Sequence, residues 1–329
     1  MLKAAQTQER EEGMGNQGKI VITGASGQYG RLATDMLIEK GLADRLILIT
    51  RSPAKLADRA AQGCDVRYGD YDKPETLAAA VQGAEKMLLI SGTRVGARVV
   101  QHKAAIDAAA AAGVRHILYT SFIGIDDPTN PAEVRHDHIE TENAMRASGM
   151  AWTMLRDAHY ADAMIVMAGP GMMPSGKWFS NAGDGREAMV WRDDCVACAV
   201  AALTTPGHEN RIYNITGPEL QSFDEVAALI REITGCPMVH VQVDDEGQYA
   251  IFDAMGIPRR PVDDQYVGGI PWNSDDMVTF AQAIRGGYLA IVSDDVERLT
   301  GRKARSVRAM IEANKDMLRA AARGELAPA

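Results

Sequence analysis

A doubly wound α/β fold built on a parallel sheet is predicted by three observations. Short continuous apolar runs alternate with helix-periodic stretches from Lys19 to Leu155, a glycine-rich turn follows the first run directly, and Gly113 and Gly149 close the last two helical stretches. The runs are Ile20-Val21-Ile22, Leu46-Ile47-Leu48-Ile49, the stretch around Val66, Met87-Leu88-Leu89-Ile90, Ile117-Leu118-Tyr119 and the stretch ending at Met154-Leu155. Apolar side chains at consecutive positions mean that both faces of a strand are covered, as in a parallel sheet between helices. Helices are expected between these strands, at about 28–40, 53–61, 74–82, 97–112 and 137–148.

After Arg156 the rhythm changes. Residues 157–190 are rich in Met, Gly and Pro with little periodicity, whereas 192–204 and 222–234 read as helices around a strand-like Arg211-Ile212-Tyr213-Asn214-Ile215. The stretch 247–275 carries Pro258, Pro261 and Pro271 among Tyr249, Phe252, Tyr266 and Trp272, a mixture typical of lids and binding loops.

The turn Gly24-Ala25-Ser26-Gly27-Gln28-Tyr29-Gly30 ends a strand and opens a helix, the context in which such glycines bind a dinucleotide. Gly24 permits the tight turn, Gly27 lets the backbone approach a pyrophosphate, and Gly30 allows helix to pack on strand, with the free N–H groups of the helix start facing the phosphate charge. This makes the fold a Rossmann sheet. The GxxGxxG spacing is that of short-chain dehydrogenases. The second strand runs into Arg51-Ser52-Pro53-Ala54-Lys55, where Arg51, Ser52 and Lys55 suit the 2′-phosphate of NADP and no carboxylate competes for the ribose, so NADPH is the expected cofactor. Asp70 and Tyr71 are placed to flank the adenine. Ile90, Ser91 and Gly92 end the fourth strand beside the crevice, and Thr120 and Ser121 end the fifth.

No tyrosine is followed by lysine at the fourth position, and 120–146 holds no lysine, so the usual proton-relay pairs of short-chain dehydrogenases are missing. His138, with Glu142 four residues on, begins the segment expected beside the nicotinamide and is the candidate catalytic residue; His136 reads as a surface residue. A strongly electrophilic acceptor such as a quinone or quinone methide can take hydride without a dedicated acid, so the missing pair points to conjugated, planar substrates. Tyr160, Met164, Met167, Trp178 and Phe179 are expected to line the pocket for such a substrate. Cys195 and Cys198 fall in an apolar helix after Asp193 and Asp194 and read as packing, with no metal site.

Together, Gly24 to Gly30, Arg51 to Lys55, Gly69-Asp70-Tyr71, Leu89 to Gly92, the His138 to Glu142 helix and Leu155-Arg156-Asp157-Ala158-His159-Tyr160 resemble the NmrA-like atypical short-chain dehydrogenases. The likeness is greatest to their NADPH:quinone oxidoreductase and triphenylmethane reductase group, and it continues through Tyr213-Asn214-Ile215 and Phe223-Asp224-Glu225. The resemblance implies NADPH, a two-part architecture and reduction of aromatic acceptors, lignin-derived lignans included. It leaves open an idle NADP(H)-sensing regulator, as in the name-giving relatives. Asp157 departs from the Asn common at that position in related sequences.

The expected organisation is a loose tail over 1–17, an NADP-binding Rossmann domain over 18–156, and a smaller α/β substrate-binding portion with a lid over 157–329, partly interleaved with the first domain. A net charge of −9 argues against a nucleic-acid partner, and no apolar run is long enough to span a bilayer. Four scattered cysteines and a polar start without a signal-like apolar core fit a cytoplasmic protein. A homodimer is compatible with the chain.

Overall fold

A computed structural model describes residues 18–262 and 273–325. Nine strands are present among them: β1 (Lys19–Ile22), β2 (Leu46–Thr50), β3 (Asp65–Tyr68), β4 (Ala84–Leu89), β5 (His116–Phe122), β6 (Ala151–Asp157), β7 (Lys177–Ser180), β8 (Arg211–Ile215) and β9 (Val239–Gln242). Seven form one sheet in the order β3-β2-β1-β4-β5-β6-β8, and every pairing is parallel. The order reverses between β1 and β4, the switch point at whose carboxyl side such sheets bind ligands.

The helices of the first half are α1 (Gln28–Glu39), α2 (Ala57–Ala61), α3 (Leu77–Ala80), α4 (Arg98–Ala111) and α5 (Val134–Ala147). They are followed by α6 (Gly169–Met172), α7 (Arg192–Thr204), α8 (Phe223–Thr234), α9 (Asp245–Ala254), α10 (Ser274–Arg285), α11 (Asp295–Thr300) and α12 (Val307–Ala322). Successive strand residues point to opposite faces. Ile20, Ile22, Leu46, Leu48 and Leu155 therefore join the core under α1 and α7. Val21, Ile47, Ile49 and Met154 join the core under α3, α4 and α5. Both faces are covered, as continuous apolar runs require.

The second half does not stand apart from this sheet. β8 extends it beside β6, and α7 packs on α1. The second half also holds structure that the composition hides. Residues 163–168 form a π-helical turn leading into α6, and β7 pairs with β9, about sixty residues later, in a separate two-stranded sheet. A π turn breaks the 3.6-residue period and a four-residue strand is too short to show alternation, so neither leaves a readable pattern. The stretch expected as a lid begins instead as helix α9, whose first turn is capped by the Asp244 carboxylate accepting from Gly247 N–H. Tyr266, Pro271 and Trp272 lie outside the described residues, as does the expected tail.

Candidate active site at the carboxyl ends of the strands

The glycine-rich turn folds as its residues demand. Gly24 lies at φ +57°, and a side chain on Gly30 would come within 2.5 Å of the Gly24 carbonyl oxygen, so α1 can approach β1 only at a glycine. No side chain caps α1, which leaves its first N–H groups for a phosphate. Gly24, Gly27 and Gln28 are exposed on this rim. The end of β2 is tied to the same turn: Ser26 Oγ bonds Thr50 Oγ1 at 2.8 Å, and Thr50 Oγ1 accepts from Ser52 N–H at 3.1 Å. Arg31 completes the tie by donating from Nε to the Ser26 carbonyl and from Nη2 to the Lys55 carbonyl, at 3.1 and 2.7 Å. Arg51 and Lys55 are exposed beside it, and neither side chain makes an ion pair among the described residues. Two free cations next to an uncapped helix start are a fit for a phosphorylated dinucleotide.

Threonines join the strand tops further along the crevice. Thr23 Oγ1 donates to the Leu88 carbonyl and accepts from Ile90 N–H and Tyr71 OH; Thr120 Oγ1 accepts from Ser91 N–H at 2.9 Å. The same Tyr71 proton is shared with the Ile90 carbonyl at 3.1 Å, so the ring braces this edge. Asp70 Oδ1 accepts from Asp72 N–H in a local turn. Gly92 N–H donates to Nε2 of the buried His102.

Two residues expected at the cofactor turn away from it. Tyr29 is buried under α1, on the helix's apolar face, and its hydroxyl donates to the Cys195 carbonyl at 3.1 Å. Ser121 faces α5 by strand alternation and donates to Glu142 at 2.7 Å. Glu142 also accepts from Arg156 and Arg146, and Arg156 reaches Asp126, so this carboxylate serves a buried ion network rather than His138.

His138 is 5% exposed, and its Nδ1 is 2.7 Å from Tyr119 OH. Burial, with Arg98 and His102 nearby, holds its pKa well below the usual histidine value, so the ring is neutral near pH 7. It can place a hydrogen bond but has no proton stored for donation, which modifies the role expected from the sequence. His136 is exposed.

The aromatic cluster over the strand ends differs from the one expected: Phe122 is 8% exposed and belongs to the main core, and Phe280 is half-buried against it. Phe122, at the end of β5, lies 5.9 Å from His138 and 5.4 Å from Phe280 of α10, ring centre to ring centre. His159 meets Phe280 edge-on at 4.8 Å, and its Nδ1 is 2.9 Å from Glu187 Oε1. Phe280 belongs to a helix that the sequence left unread, and His159 and Glu187 are brought together only by the fold. The expected lining does not converge. Trp178 is 3% exposed and stacks on Phe223 at 4.3 Å, while Phe179, its neighbour on β7, alternates to the exposed face. Met164 packs against the main core beside α12, and Tyr160 lies beneath Arg192 with its hydroxyl donated to Asp157 at 2.8 Å. Met167 is half-buried on the π-helical turn. A cavity of about 460 Å³ opens further along the sheet, lined by Asp126, Arg156, Asn214 and Tyr288, and shares no residue with the cradle.

Burial pushes the Cys195 and Cys198 thiols up, and no cluster of metal-ligating side chains occurs among the described residues. No described helix is long and apolar enough to cross a membrane.

A profile of the NAD(P)H-binding family matches residues 24–206, from the glycine turn through α7. The chain belongs to this family. It is an NAD(P)H-binding oxidoreductase of the NmrA-like group. It is 36% identical over 239 residues to quinone oxidoreductase 2 of Escherichia coli (strain K12), covering 73% of this chain and 82% of that one. It is 30% identical over 287 residues to an NAD(P)H azoreductase of Xenophilus azovorans, covering 87% and 94%. The solved structure of Citrobacter sp. triphenylmethane reductase complexed with NADP(H) matches with a TM-score of 0.79 at 32% identity, over 90% of this chain and 99% of that one.

Proposed function

We propose that the protein is an NADPH-dependent reductase of planar aromatic acceptors: quinones, quinone methides or related compounds. The observation that carries this reading is the Phe122–Phe280 ring cluster, flanked by His138 and His159 with Phe280 half-buried, on the same side of the sheet as the glycine-rich turn that would hold the dinucleotide. The similarity to a quinone oxidoreductase, an azoreductase and a triphenylmethane reductase supports the same class.

The uncapped start of α1 and the Gly24–Gly30 turn would hold the pyrophosphate, and Arg51, Ser52 and Lys55 the 2′-phosphate, with Arg31 keeping the two loops in register. Bound NADPH supplies the hydride. The protein's part is placement: Thr23 and Thr120 hold the strand tops together, and the half-buried Phe280 ring, backed by Phe122, would exclude water and stack a flat substrate. Residues 18–156 would form the cofactor half, and 157–329 the substrate half, with β8 and α7 reaching back into the first.

The test is NADPH consumption against a panel of quinones, azo compounds, cationic triphenylmethane dyes and lignans. Turnover of at least one planar acceptor is expected, and NADPH binding without turnover on any of them overturns the reading. Lignan turnover decides whether that class belongs to the range.

A further inference from the structure

We propose that His159, held by Glu187, is the general acid that protonates the acceptor as hydride reaches it; the proposal rests on the reductase reading above. Hydride brings two electrons to a quinone-type acceptor, and negative charge develops on a carbonyl oxygen. The Nε2–H bond of the imidazolium breaks, its electron pair stays on the ring, and an O–H bond forms on the acceptor. Water then returns the proton to His159. The chain has no Tyr-x-x-x-Lys pair to do this.

The geometry suits the task. Glu187 is 1% exposed, and its backbone exchanges hydrogen bonds with Gln221 at 3.1 and 3.0 Å, so the carboxylate is fixed in place. Its Oε1 meets His159 Nδ1, and its Oε2 has no hydrogen-bond partner among the described residues. A carboxylate so buried needs a counter-charge, and His159 is the group within reach. With Nδ1 engaged, Nε2 is the nitrogen left to act; no described residue bonds it, and the side chain keeps 19% exposure. The ring stands at the rim of the Phe280–Phe122 surface, two residues beyond Asp157, which lies beside Phe122 across the β5–β6 pairing.

Charge favours the acid form. Burial works against the imidazolium, but the charge and hydrogen bond of Glu187, with Asp162, outweigh it and raise the His159 pKa. Asp162 is itself paired with Arg192 at 2.6 Å, and α10 presents the Phe280 ring. Of the two histidines beside this cluster, His138 has its pKa lowered and His159 has its pKa raised, so His159 is the one favoured to hold a proton.

Two readouts test the proposal. NMR titration of the cofactor-free protein should show His159 titrating above the ordinary histidine range, and Glu187→Gln should lower that value by at least about one pH unit. With an accepted quinone, kcat/KM should fall as pH rises through the value found by NMR, and Glu187→Gln should move the fall down by the same amount. His159→Gln should lower kcat about 10²-fold, abolish that limb and leave the NADPH dissociation constant unchanged. An unaltered pH profile in His159→Gln overturns the acid role while the reductase reading stands. A wild-type enzyme that reduces no aromatic acceptor overturns both. If His159→Gln does not fold, Glu187→Gln decides alone, and an unshifted titration counts against the pair.

Discussion

At the end of β6, Asp157 is a carboxyl kept from water. It is 3% exposed, accepts from Tyr160, and leaves Oδ1 without a partner among the described residues. Burial raises its pKa to about 7, against weaker opposing hydrogen bonds and the Arg192 charge. Because the folded value lies above the unfolded one, this group's contribution to stability is fully present below the ordinary Asp range. It is lost as pH rises from about 4 to 7. Asp157→Asn keeps the shape and removes the charge, so at pH 8 it should raise Tm by about 2–4 °C and flatten Tm between pH 4 and 7. Superimposable Tm–pH curves for the two proteins reject this account. On the cradle, Arg51→Ala should cut an NADPH-over-NADH preference of at least about tenfold, or 1.4 kcal/mol, toward unity. Dissociation constants for both cofactors measure it, and equal constants in the wild type would remove the 2′-phosphate assignment.

Trp178 on β7 shows what an element does to a residue read from composition. In sequence it is one aromatic among methionines; in the fold it alternates inward, against Phe223 and close to His240. Trp178→Ala should therefore act on stability, costing about 3–5 kcal/mol as large core truncations do, rather than on acceptor binding. Denaturant unfolding together with acceptor KM checks this, and a raised KM at unchanged stability would return Trp178 to the substrate site. The first-half elements were legible because each strand and helix carries its own apolar period and its own glycine. The strand Arg211–Ile215 and the helix 192–204 were read to the residue, whereas the π-helical turn, β7 and β9 depend on partners far away in the chain.

Across the whole molecule, the proposed acceptor site depends on α10, which returns over the carboxyl ends of the strands. Glu133 N–H donates to Thr279 Oγ1 at 3.1 Å, and Phe280 meets Phe122 and His159 from the same helix. Phe280→Ala should weaken binding of planar acceptors about tenfold while leaving the NADPH constant within about twofold, since the area lost lies on the acceptor side only. Paired titrations of acceptor and cofactor measure it; equal weakening of both would mean that α10 shapes the cradle instead. The C-terminal helix is anchored through the fully buried Asp194, which accepts from Arg302 and Arg305 on the segment leading into α12.

Local chemistry was enough to determine the Rossmann sheet, the glycine-rich turn and the exposed cations at the end of β2, because each is written in neighbouring residues whose spacing is set by strand and helix geometry. The missing Tyr/Lys pair was equally plain in the sequence. The aromatic surface, the neutral state of His138 and the His159–Glu187 pair were decided by tertiary structure alone. They join residues from β5, α5, the segment just after β6, the segment between β7 and α7, and α10, and both burial and charge depend on what those distant segments bring together.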